Sequence, residues 1–279
     1  MSTRPRGSLL GAVVLALALT AALSAEHSWG GYHWARQTPQ FTLKLGDNLT
    51  SASWRGHLAQ TSQDWNSGAT TPVLTAIVAG RSNKRCSMVA GTTQVCNGTY
   101  GRNGWLGLAS INIIDGSHIT QGSAKMNDTY FGTATYNNPN EREHVMCQEV
   151  AHTFGLGHQS EDGSSQNSCM DYFSNTGANA GSTLSTAPNA HDFEQLRSIY
   201  EHLDNTTTVA AASAQATSGA DAGDNDDPKN WGQLVKQSKN GRSSTYERFN
   251  KDGSQTITHV YWTLEAAETC RSCDHRFDH

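Results

Sequence analysis

The sequence predicts a mixed α/β fold (α+β), a twisted mixed sheet with helices packed on it, and three observations carry that expectation. Short alternating or continuous apolar runs read as strands. Longer stretches with apolar residues every three or four positions read as helices, and the two kinds interleave along the chain. Phe41-Thr42-Leu43-Lys44-Leu45 alternates as a half-buried strand does. Thr50 or Ser51 then caps a helix whose stripe runs through Trp54, Leu58 and Trp65 and stops before Gly68. Both tryptophans are expected in the core. Val73 to Val78 is a continuous apolar run closed by Gly80, the pattern of a buried strand. Residues 81–104, rich in Gly, Ser, Thr and Asn, read as a surface loop, and strands are expected at 105–114 and 118–127. A second helix is predicted over 141–154, ending at Gly155 where positive φ is cheap. A third is predicted over 189–203, with Phe193, Leu196, Tyr200 and Leu203 on one face.

At 279 residues the chain has room for one large domain, or one plus a small appendage. Residues 1–25 read as a secretory signal peptide: Arg4 and Arg6 precede an apolar run from Leu9 to Leu19 and a small-residue site at Ala22-Leu23-Ser24-Ala25. No later stretch is long and apolar enough to span a bilayer, so no stable membrane association is expected after cleavage. The main domain is expected over 26–204. Residues 205–228, mostly Ala, Thr, Ser, Gly and Asp, form the expected flexible linker. Residues 229–279 form the expected small β-hairpin segment, with runs at 243–250 and 255–264 flanking the turn at Asp252-Gly253.

Lys and Arg number 20 against 25 Asp and Glu, a net charge of −5 that gives no basic groove for nucleic acid. Export would place the six cysteines, Cys86, Cys96, Cys147, Cys169, Cys270 and Cys273, in an oxidising compartment that favours disulfides. Proximity pairs Cys86 with Cys96. At the tail, Cys270 and Cys273 with His275 and His279 suggest either a disulfide, which is preferred, or a second zinc site.

The chemistry-bearing stretch is Gln148-Glu149-Val150-Ala151-His152-Thr153-Phe154-Gly155-Leu156-Gly157-His158. On a helix, positions 148 and 152 lie one turn apart, about 6 Å along the axis, and face a shared ion. Gly155 lets the chain turn so that His158 returns as a further ligand. Glu149 then stands beside the metal as a general base for a water whose pKa the metal depresses to about 7.

This stretch resembles the extended zinc-binding signature of the metzincin metallopeptidases, H-E-x-x-H-x-x-G-x-x-H, at Glu149, His152, Gly155 and His158. Gln148 stands where that family places its first ligand histidine. Its carbonyl oxygen is a harder donor than an imidazole nitrogen, so weaker zinc affinity is expected. Ser168-Cys169-Met170-Asp171-Tyr172 resembles the family's methionine turn. The resemblance implies Met170 as an apolar floor beneath the metal and Tyr172 near the metal or the transition-state oxyanion. A Cys147–Cys169 disulfide would tie the active-site helix to that turn. Substitutes for the absent histidine are poor nearby: His144 lies about 12 Å from His152 along the helix axis, and Cys147 points about 140° away. A distant donor such as His118 or His191 stays open.

The resemblance therefore implies a metzincin-like sheet with an active-site helix and a C-terminal helix. It implies a secreted zinc-dependent endopeptidase with Zn(2+) at His152, His158 and Gln148, Glu149 as general base, and a polypeptide substrate. That substrate is expected to add as a strand beside residues 118–127. The alternative is a catalytically impaired chain of the same fold that serves as a secreted binding module.

Overall fold

The computed structural model describes residues 1, 30–81, 86–209 and 226–277. The expected signal peptide, apart from Met1, and most of the expected linker lie outside the described residues. The chain runs through β1 (His33–Trp34), β2 (Phe41–Asn48), α1 (Ala52–Asn66), β3 (Val73–Ala79) and β4 (Thr92–Gly98). Then come β5 (Trp105–Ile114), β6 (His118–Asn127), the single turn α2 (Asp128–Phe131), α3 (Pro139–His152) and α4 (Ala190–Ile199). Past the undescribed stretch lie β7 (Gln233–Gln237), β8 (Ser243–Phe249), β9 (Gln255–Trp262) and α5 (Leu264–Thr269).

The helices begin where side chains satisfy the first free backbone donors. Ser51 Oγ accepts from the Trp54 amide at 3.2 Å to cap α1. Asn138 caps α3, accepting from the Glu141 amide at 2.8 Å, and Pro139 fits the first helical position, where no amide proton is needed. A reciprocal capping box of Asn189 and Asp192 starts α4. Helix α3 thus begins two residues earlier than expected and ends at His152 rather than Phe154.

The strands form one mixed sheet in the order β3-β2-β4-β6-β5-β9-β8-β7, with β1 added to β6. Strands β3, β2, β4 and β6 are parallel, and every pairing from β6 through β5 to β7 is antiparallel. Helices α1 and α3 pack on each other, α1 over β3 and α3 over β5 and β6. Trp54, Leu58 and Trp65 of α1 are buried, and Trp65 meets Phe154 and Phe193 edge-on. Beside this main core, Trp105, Leu108, Trp231, Tyr246, Val260 and Trp262 form a second apolar cluster.

Three expectations need correction. The loop expected over 81–104 contains strand β4, which lies between β2 and β6. Strand β6 is paired by β1 and β4 on one side and by β5 on the other, so its amides and carbonyls are not free to receive a substrate strand. The two runs expected as a hairpin do form β8 and β9, but a third strand, β7, joins them, and β9 hydrogen-bonds directly to β5. The C-terminal strands therefore continue the main sheet. All three cysteine pairs are disulfide-bonded: Cys86–Cys96, Cys147–Cys169 and Cys270–Cys273. The tail cysteines are thereby removed as zinc donors, and the His275 ring instead bonds the Gly241 carbonyl at 3.0 Å.

Candidate metal centre

Gly155 sets the local geometry. Its φ is +97°, and a Cβ there would lie 2.0 Å from the Tyr32 carbonyl oxygen, so only glycine fits the turn that ends α3. The turn brings the Leu156 carbonyl within 2.7 Å of His152 Nδ1. A carbonyl only accepts, so Nδ1 carries the proton and Nε2 presents its lone pair inward. The same turn returns His158, whose Nε2 lies 3.0 Å from His152 Nε2. Its Nδ1 faces Glu161 Oε1 at 3.1 Å, an arrangement that orients the ring.

The third histidine comes from the C-terminal strands. His259 on β9 lies tilted against both rings, with centroids 4.0 Å from His152 and 4.3 Å from His158. One ligating atom from each of the three lies within 4.8 Å of the others. Tyr172 closes the group, its hydroxyl 3.0 Å from His158 Nε2 and 3.3 Å from His259 Nε2. Burial lowers the His152 pKa to about 4 and pushes that of His259 well below its ordinary value, so both rings are held neutral, the form that binds a metal. Burial raises the Tyr172 hydroxyl well above its usual range. Three converging imidazoles fit a borderline cation such as zinc, for which imidazole is a preferred ligand.

Glu149 is fully buried, and neither carboxylate oxygen has a hydrogen-bond partner. Burial raises its pKa well above the ordinary carboxylate range. It lies against Gly107 of β5, where a Cβ would come within 2.4 Å of Oε1. Gly107 pairs with Tyr261, and Ala109 pairs with His259, so the carboxyl group sits close to where β9 brings its histidine onto β5.

Gln148 uses its amide differently from a ligand histidine. Its Nε2 donates to the carbonyls of Cys169 and Asp171 at 3.0 and 2.9 Å, which joins α3 to the methionine turn, while Oε1 is buried without a partner. The Cys147–Cys169 bond joins the same two elements. Met170 is buried in the main core. Asp171 organises its turn, accepting from the Gln166 amide at 2.7 Å, the Phe173 amide at 2.9 Å and Ser185 Oγ at 2.8 Å. His144 is bound to Asn175 and to the Asp171 carbonyl. His118 joins a different cluster, with His33 and Asp204. His191 lies in the first turn of α4, outside both three-residue groups.

Sequence reasoning missed His259. The signal was present: Ile257, His259 and Tyr261 share one face of a strand, and the two flanking residues are apolar and buried in the main core. A histidine on an apolar strand face is either a bonded core residue or a ligand. Only the pairing of β9 with β5 decides where it goes.

A cavity of about 220 Å³ reaches the centre, lined by Tyr32, His158, Lys236, Glu247, Ile257 and His259 among others. No protein-family model matches the chain, and no curated protein matches it. Among solved structures, that of myroilysin aligns with 63% of this chain and 98% of its own, at a TM-score of 0.35 and 12% identity. A likeness of that size carries neither fold nor function.

Proposed function

We propose that the chain is a secreted, metzincin-like zinc-dependent endopeptidase whose metal is held by His152, His158 and His259. The observation that carries this reading is the convergence of three imidazoles, two of them held neutral by burial, with a buried carboxyl group on the same helix as His152 that has no hydrogen-bond partner. Zinc held by His152, His158 and His259 would supply Lewis acidity toward a peptide carbonyl and lower the pKa of water to near neutrality. Glu149 takes the proton from the attacking water and delivers it to the departing amine. Tyr172 places its hydroxyl beside His158 Nε2 and His259 Nε2, next to where the three histidines would hold the metal. That hydroxyl would donate to the developing oxyanion. Gln148 serves in this account as the brace between α3 and the methionine turn, and His259 replaces it as ligand. Three disulfides suit an oxidising compartment, and among the described residues no helix is long and apolar enough to cross a membrane.

A second reading has its own support. Strand β9 occupies the side of β5 that faces away from β6, and Glu149, His152, His259 and Tyr172 are at most 1% exposed. A site so covered also suits a metal-stabilised binding module. Hydrolysis of an unfolded protein substrate by the zinc-loaded chain separates the two. The peptidase reading expects cleavage that falls by about 10²- to 10⁴-fold in Glu149→Ala with zinc retained. Equal inertness of both proteins would leave the binding module.

A further inference from the structure

A second group of donors lies outside the centre described above. His33 from β1, His118 at the start of β6 and Asp204 beyond α4 meet at one point, and the half-exposed His202 reaches His33 and Asp204 from outside. Asp204 Oδ1 lies 3.5 Å from His33 Nε2, 3.3 Å from His118 Nε2 and 3.6 Å from His202 Nε2. His202 Nε2 is 3.2 Å from His33 Nε2. The pairing of β1 with β6, which sets His33 opposite His118, builds half of the group.

Between neutral rings, hydrogen bonds alone do not account for these contacts. His33 Nδ1 faces the Gly31 carbonyl at 2.9 Å, and a carbonyl only accepts, so in the neutral ring Nε2 is a lone pair aimed at the cluster. A lone pair has nothing to give the Asp204 carboxylate. If His33 and His202 both carried Nε2 protons for Asp204, two N–H groups would face each other across 3.2 Å. A cation at the centre satisfies every inward lone pair at once. Four ligands at about 2.0 Å around a tetrahedral zinc stand about 3.3 Å apart. Four of the six edges, 3.2 to 3.6 Å, lie at that value, His33 and His118 stand within 4.8 Å, and the half-exposed His202 ring would turn inward to complete the set.

The supporting contacts are those of ligands held in place. Asp204 Oδ2 accepts from the Arg36 amide at 2.9 Å, which leaves Oδ1 to face inward. Asp115 Oδ2 stands 4.0 Å from His118 Nδ1, on the far side of that ring.

We propose that His33, His118, His202 and Asp204 form a second, structural zinc site that fastens the N-terminal strand to the segment following α4. Four protein donors leave no open position, which marks the site as structural rather than catalytic. The ion would join three stretches of chain far apart in sequence, around 33, 118 and 202–204, close to where the chain enters and leaves the first part of the fold.

The test is zinc content and zinc-dependent melting of the full chain after dialysis against a weak chelator. Wild type is expected to keep two zinc ions per chain, and the double variant His118→Ala/His202→Ala one. Those side chains are 23% and 51% exposed, so their loss empties no core. The same variant is expected to lose part of the zinc-induced rise in Tm, with second-site affinity down more than about 100-fold, beyond an outer-shell change. His152→Ala/His158→Ala is expected to keep the second ion. If wild type keeps one ion, indifferent to His152→Ala/His158→Ala but lost with His118→Ala/His202→Ala, the second site stands and the catalytic centre falls. An unchanged zinc complement and Tm shift in His118→Ala/His202→Ala overturns the second site.

Discussion

Three residues around the centre are constrained in ways that make their substitutions informative. Gly155→Ala meets both a positive φ and the Tyr32 carbonyl, so it is expected to destabilise the fold by more than about 2 kcal/mol, measured by denaturant unfolding. Gly107→Ala pushes on the Glu149 carboxyl group while leaving the three histidines in place. It is expected to lower kcat at least tenfold with zinc affinity kept, whereas a general loss of folding would lower both. Burial holds the Asp192 carboxyl at about 6, above its ordinary 3.8, so the folded state keeps a proton that the unfolded chain releases first. The stability this contributes is present below pH 3.8 and declines as the pH rises to about 6. Asp192→Asn keeps an acceptor for Ser168 and cannot ionise. Its stability relative to wild type should therefore rise across that window by on the order of 3 kcal/mol, read from unfolding midpoints at several pH values.

The elements were legible in sequence where local chemistry and tertiary environment agree. Strands β5 and β6 fall at their predicted limits, and α1 is capped by Ser51, one of the two residues expected there, with Trp54, Leu58 and Trp65 inward. Strand β4 was not legible: Thr92-Thr93-Gln94-Val95-Cys96-Asn97-Gly98 is polar, yet all but its last residue are buried because it lies inside the sheet. Its polar groups find partners distant in sequence, as Asn97 does in Thr50 and Asp128, and no periodicity reports that. Two restraints hold α3 to the methionine turn, and both can be cut separately. Replacing Cys147 and Cys169 by serine is expected to cost about 3 kcal/mol for their separation of 22 residues. Gln148→Leu, which leaves the Cys169 carbonyl without its amide donor, is expected to cost about 1 to 3 kcal/mol.

At the scale of the molecule, the C-terminal strands are where sequence reasoning saw least. A hairpin after a linker reads as an appendage, because a strand's partner is a long-range fact that composition does not carry. In the structure those strands continue the sheet through β5, cover Trp105 and Leu108, and bring Asp226 onto the buried Lys125. A chain ending at Val209 would bare the outer edge of β5 and that apolar cluster, and is expected to aggregate, as light scattering would show. The same long-range pairing brings His259 to His152 and His158, while the pattern from Gln148 to His158 and the turn at Met170 were plain from the start. The account rests on that exchange of ligand, and zinc affinity tests it most directly. Competition titration in a His118→Ala/His202→Ala background isolates the first centre. The account predicts that His259→Ala weakens zinc more than about 100-fold, and Gln148→Leu by only a few-fold. The reverse order, with Gln148→Leu abolishing binding and His259→Ala leaving it intact, would contradict it.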